Sequence, residues 1–205
     1  MKIKFIFYSI LCFLFLNACE ETKHYTLEGH IRGLVDPVLY IKSFEDKTDT
    51  ISSKYGEFRY EAVSDSIQSV LIYMENGAAY ITIWAQNGQL IEISGNAEYP
   101  ELIESNGNEI NDLLTNFRQE NKAVIKERND TDDPARKAEL MQILIENSQD
   151  FIRQHPASIA SLVLIQDYLM KSKDLNPVTD ALSLIESPAK NSALYKQLQA
   201  VIDAP

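Results

Sequence analysis

Cysteine is nearly absent from this 205-residue chain, and the two that occur, Cys12 and Cys19, both fall in the first nineteen positions. Beyond Cys19 the chain has no thiol. It therefore lacks the means for an internal disulfide, a Cys-x-x-Cys redox pair or a cysteine zinc site there. A Gly-x-Ser-x-Gly nucleophile turn, a glycine-rich phosphate loop of the Walker type and a His-Glu-x-x-His zinc signature are also missing. Basic residues are in the minority, 19 against 30 acidic, for a formal charge of −11. Nucleic-acid binding rests on phosphate neutralisation, so this balance argues against a nucleic-acid partner. It argues equally against a polybasic contact with a membrane surface. The longest apolar stretch, FIFYSILCFLFL at residues 5–16, is twelve residues long. A spanning helix needs roughly 20.

What is present begins with that stretch. Lys2 and Lys4 precede it, and Leu16, Asn17, Ala18 and Cys19 follow, leading into charged residues. A basic head and a twelve-residue apolar core have the proportions of a secretory leader. The Ala18-Cys19 pair at its end resembles a bacterial lipoprotein signal, the alternative being an ordinary leader with an incidental cysteine. The resemblance implies cleavage before Cys19, a diacylglycerol on its thiol, and residues 19–23 as a lipidated tether. Two or more acyl chains hold a protein stably on a membrane where one holds it marginally. Removing residues 1–18 takes away two lysines and no acid, so the mature charge becomes −13. The 187 residues that remain are enough to bury a core without disulfides.

The rest of the chain changes period once. Over residues 24–105 the apolar positions alternate. Tyr25, Leu27 and Ile31 oppose Thr26, Glu28 and His30. Phe58, Tyr60 and Ala62 oppose Glu57, Arg59 and Glu61. Ile81 and Ile83 oppose Tyr80, Thr82 and Trp84. Period two predicts strands, about seven of them. The denser runs at 38–44 and 69–74 predict strands covered on both faces. Asn76-Gly77 and Asn87-Gly88 predict tight hairpins on either side of one meander strand. From residue 106 the spacing becomes helical. Ile110, Leu113, Leu114, Phe117, Val124 and Ile125 form one stripe, and Ala138, Met141, Leu144, Ile145, Phe151 and Ile152 a second. Asp133-Pro134 predicts a helix start and His155-Pro156 a stop. Residues 159–170 are apolar nearly all round, broken by Ser161, Gln166 and Asp167, and predict the buried helix. Asn176-Pro177 and Ser187-Pro188 predict two more starts. The expected fold is α+β: an antiparallel β-sandwich or open barrel over 24–105, then an α-helical bundle segment over 106–205.

Few residues offer chemistry. His24 and His30 would share a strand face roughly 20 Å apart, too far for one metal. His155 precedes a proline at a helix end. Asp130, Asp132 and Asp133 lack the central glycine and distal glutamate of a calcium loop, and Pro134 follows at once. They read as a solvated loop with a helix cap, so no metal and no cofactor are expected. Seven of the ten tyrosines lie between residues 25 and 99, which strand propensity accounts for. Trp84, the only tryptophan, is the candidate for an exposed contact residue on the sheet. No carboxylate pair has a distinguishing context.

The order of motifs has a further likeness. The strand YTLEGHIRGLVDPVLYI is followed by TDTISSKYGEFRYEA, NGQLIEISGN and the helical FIRQHPASIASLVLI. Together with the lipoprotein signal this resembles an envelope domain of unassigned function that precedes thioredoxin-like domains of the TlpA or ResA type. The likeness spans residues 19 to about 203. It implies a bacterial envelope location, in the inner or outer membrane and facing the periplasm or the cell surface. The redox residues of that family have no counterparts here, so its activity does not carry over. Two readings follow. One is a membrane-anchored, non-catalytic binding or scaffolding module for an envelope protein or small ligand. The other is the front half of a thiol–disulfide oxidoreductase whose Cys-x-x-Cys domain lies beyond residue 205. A hydrolase built on carboxylates is a distant third.

Overall fold

The computed structural model describes residues 24–43, 48–73, 79–172 and 175–203. The expected leader, Cys19 and the Asn76-Gly77 pair lie outside these residues. Among the described residues eight strands precede six helices, so the α+β architecture expected from the two periods is the one observed.

The strands form two four-stranded sheets. β1 (Tyr25–Arg32), β4 (Glu57–Ala62), β7 (Leu90–Asn96) and β8 (Glu104–Asn106) make the first, in the order β4-β1-β7-β8. β2 (Val38–Ser43), β3 (Thr48–Ser52), β5 (Gln68–Tyr73) and β6 (Ala79–Ala85) make the second, in the order β3-β2-β5-β6. Alternation puts Tyr25, Leu27, Ile31, Ile91 and Ile93 from one sheet against Leu39, Ile41, Val70, Ile72 and Ile83 from the other. All are buried in a shared core. This is a sandwich, with side chains of two inner faces interdigitated.

Three details depart from expectation. The pairing is not wholly antiparallel, because β1 and β7 run parallel, Leu27 opposite Ile91 and Gly29 opposite Ile93. Asn87-Gly88 forms a turn, with Gly88 at φ +84°, but it does not return the chain beside β6. It hands the chain to the other sheet, and the Asn87 side chain accepts from the Ser64 amide at 2.7 Å. β2 and β5 are buried on one face only, since their outer faces carry the half-buried, stacked pair Tyr40 and Tyr73, 5.9 Å between centroids. Among the described residues a tight two-residue hairpin also falls at Tyr55-Gly56, where both residues have positive φ and Lys54 and Glu57 exchange backbone bonds of 3.0 Å. A Cβ on Gly56 would sit 2.1 Å from the Ile31 carbonyl oxygen, so glycine is required there.

The helices are α1 (Glu109–Glu120), α2 (Lys122–Asp130), α3 (Pro134–Gln154), α4 (Ile159–Asp167), α5 (Asn176–Leu184) and α6 (Ala193–Ile202). The first apolar stripe is split into α1 and α2 at Asn121, whose side chain donates to the Phe117 carbonyl at 2.8 Å and ends the helix. Asp133 caps α3 by accepting from the Ala135 amide, and Ser158 caps α4. α4 is buried on every side from Ala160 to Ile165, as its composition predicts. Asn176 is the first residue of α5 rather than its cap. Ser187-Pro188 starts only a short 3-10 turn, and the cap of α6 is Ser192. Leu194 and Leu198 of α6 pack into the helical core while Val201 is exposed.

α1 closes one edge of each sheet, β6 in one and β8 in the other. Asn111, fully buried, accepts from the Trp84 amide at 3.0 Å and donates to the Trp84 carbonyl at 2.8 Å. One turn on, Thr115 accepts from the Ser105 amide at 2.9 Å and donates to the Ser105 carbonyl at 2.7 Å. Truncating Asn111 leaves the buried Trp84 amide unpaired and the Trp84 carbonyl with only its bond from Asn108. Asn111→Ala should lose about 2–4 kcal/mol of unfolding free energy, and Thr115→Val about 1–3 kcal/mol, in urea denaturation. Unchanged midpoints would show that these edges are satisfied in another way.

Candidate functional site

Trp84 is not an exposed contact residue. It retains 8 % of its surface and belongs to the helical core. Strand alternation does turn it away from the sandwich interior, but the helices cover that face of β6. His24 and His30 are exposed on the outer face of the first sheet, and His155 ends α3 with its ring 4.4 Å from that of Phe151. Of the three aspartates weighed for calcium, Asp133 is a helix cap and Asp130 accepts from the Tyr99 hydroxyl at 3.4 Å. Among the described residues no group of three His, Cys, Asp or Glu is placed to hold a metal ion. No helix among them is long and apolar enough to cross a membrane.

A cleft of about 880 Å³ lies where β6 meets the helices. Ile81 and Thr82 of β6 line it together with Pro100, Glu101, Arg118 of α1, Arg128 of α2, Met141 of α3 and Asp167 at the end of α4. The short turn Pro100–Leu102, between the sandwich and α1, brings Glu101 into this group.

Its two arginines are held differently. Arg128 forms an ion pair with Glu101, and Glu101 also accepts from the Tyr168 hydroxyl at 2.7 Å. Burial and the Glu101 carboxylate both push the Tyr168 phenol above its ordinary range. Glu101 is thus engaged through both oxygens. Arg118 has a side chain only 10 % exposed and donates no hydrogen bond to any described residue. Its nearest carboxylate oxygen, on Asp167, is 3.9 Å away. That is beyond hydrogen-bonding reach, so the attraction is Coulombic only. Burial raises the Asp167 carboxyl above the usual aspartate range, although Arg118 and Lys171 pull it down.

A second groove, about 770 Å³, runs between the Gln86–Gln89 turn and the starts of α1, α4 and α6. Ile67, Ile110, Ile159 and Pro156 make it mostly apolar. No lysine or arginine is among its lining residues.

Sequence reasoning passed over Arg118, Arg128 and Glu101, and it noted Asp167 only as a break in an apolar helix. A signal for Arg118 was present. It follows Asn111 by seven positions, so it returns to the same face of α1, beside Leu114. A cation on the buried stripe of a helix needs a reason to be there.

No protein-family model, curated protein or solved structure matches this chain.

The raised Asp167 carboxyl has a definite sign. The folded state holds that proton more tightly than the unfolded chain does. Its contribution to stability is complete below the ordinary aspartate range and is lost as pH rises through the raised value. Asp167→Asn stays neutral throughout. The difference in unfolding free energy should therefore move in favour of the variant as pH rises from about 4 to neutrality. A pH-independent difference would contradict the shift.

Proposed function

We propose that this chain is a non-catalytic binding module of the bacterial envelope, tethered to a membrane by lipid on Cys19. The observation that carries the binding role is Arg118. A nearly buried guanidinium without a hydrogen bond lines an open cleft, while its neighbour Arg128 is paired at contact. No protein acceptor lies within hydrogen-bonding reach of this guanidinium, so its donors face the cleft and a ligand can take them. The groups lining the cleft supply charge and hydrogen bonds, with no nucleophile set beside a base. The tether is supported by Ala18-Cys19 at the end of the apolar leader.

Expression of the full chain in a Gram-negative host with a labelled fatty acid tests the tether. The wild type should take up label and sediment with membranes, and Cys19→Ser should do neither. Label retained by Cys19→Ser would overturn the lipid attachment. The purified lipidated protein should neither reduce nor oxidise a dithiol substrate, and turnover there would overturn the non-catalytic reading.

A further inference from the structure

The unpaired guanidinium selects a ligand class. We propose that the cleft over Arg118 binds a small monocarboxylate with an apolar body. The carboxylate pairs with the Arg118 guanidinium, and the body lies against Pro100 and Met141. This inference rests on the binding-module reading and specifies its ligand.

Charge comes first. Arg118, Arg128, Lys137 and Lys171 line the cleft, opposed by Glu98, Glu101 and Asp167, so its formal balance is +1 in a chain of −11. A cation would have to displace four like charges. A dianion such as a phosphate monoester would exceed the balance and face three carboxylates. A single negative charge matches it.

Geometry comes second. Glu101 is fully used by Arg128 and Tyr168, which makes Arg128 a fixed wall of the site. Arg118 keeps its donors free, and a guanidinium fork matches a planar carboxylate through two parallel hydrogen bonds. Asp167, at 3.9 Å, holds the position beside the fork without occupying it. It lowers the cost of burying the cation in the empty site and competes weakly with an incoming carboxylate.

Packing comes third. Pro100 and Met141 offer apolar surface within the same cleft. The volume, about 880 Å³, is in the range of small-molecule sites and exceeds what an inorganic ion fills. Methionine adapts to irregular apolar groups.

The test uses the full lipidated chain in zwitterionic nanodiscs, with empty nanodiscs subtracted, by isothermal titration calorimetry. The probes are benzoate, benzyl alcohol, benzylamine and phenyl phosphate. Benzoate should bind saturably at one site per chain, at least about tenfold tighter than the other three, a margin that one charge-assisted pair supplies. Arg118→Gln should weaken benzoate at least about tenfold. Asp167→Asn should strengthen it about three- to tenfold by removing the competing charge. Lack of saturable benzoate binding overturns the proposal, as does equal binding of benzyl alcohol. Tighter binding of phenyl phosphate replaces a monocarboxylate site with a phosphate site and also overturns it. An Arg118→Gln protein that unfolds at the wild-type temperature and binds benzoate normally overturns it too. If Arg118→Gln does not fold, Asp167→Asn decides, since unchanged or weaker affinity in that variant is contrary to the proposal. Failure of these arms leaves the Cys19 labelling result and the dithiol assay intact, so loss of the ligand class and loss of the module reading are separate outcomes.

Discussion

Asn111 and Thr115 hold the two halves of this molecule together. Each sheet ends in a strand whose outer backbone groups have no strand to pair with, β6 in one sheet and β8 in the other. An open edge must be paired, covered or made repulsive. Here a single helix covers both. The Asn111 carboxamide presents an acceptor and a donor to Trp84 as a neighbouring strand would, and the Thr115 hydroxyl does the same for Ser105. The residues are four apart, so they lie on one face of α1 one turn from each other. Asn108, the cap of α1, adds a bond of 2.8 Å from its side chain to the Trp84 carbonyl. The start of the helix is therefore fixed to the end of β6 before any apolar packing is counted.

That attachment explains where the second core lies. With α1 bonded along β6, the outward face of that strand is roofed by helices, and Trp84 and Leu102 pack with Leu114, Phe117, Leu144 and Tyr168. The inward face, Ile81 and Ile83, belongs to the sandwich core. β6 is thus buried on both sides by different partners. The crossover at Asn87-Gly88 has a related cause. The free edge of β6 is taken by the helix, so β7 pairs elsewhere, and the parallel register beside β1 brings Ile91 and Ile93 into the sandwich.

These arrangements mark the limits of what the sequence displays. The strands on either side of the sandwich are legible because burial on one face leaves strict alternation, and α3 and α4 because cap, proline and apolar run agree. Trp84 was misread because alternation reports which side of a sheet a residue faces, not what covers that side. Asn87-Gly88 was misread because positive φ specifies a turn and says nothing of which strand follows. Ser187-Pro188 has the letters of a cap, while the capping hydroxyl that reaches a helical amide is that of Ser192, four residues after Pro188. The cleft was out of reach for a different reason. Its walls come from β6, the Pro100–Leu102 turn and four helices, and no local pattern encodes that convergence. Only Arg118 and Asp167 left a trace, as charges within otherwise apolar helical faces.

The cleft follows from the same helix face that closes the sheets. Asn111 and Thr115 fix the rotation of α1 about its axis, and Arg118, seven residues after Asn111, then points along the same side toward the junction with α4. A purely structural arginine in that position would be expected to resemble Arg128, paired at contact by a carboxylate that is itself hydrogen-bonded. Glu101 shows that this fold can build such a pair a short distance away. Asp167 instead stops at 3.9 Å, and its carboxyl is raised by burial rather than lowered by contact. Two arginines on one cleft are therefore paired differently: Arg128 meets Glu101 through one terminal nitrogen and leaves the other buried without a partner, whereas Arg118 meets no acceptor at hydrogen-bonding distance. The difference lies in the pairing geometry, with Arg128 serving the packing of the walls and Arg118 left with its donors free.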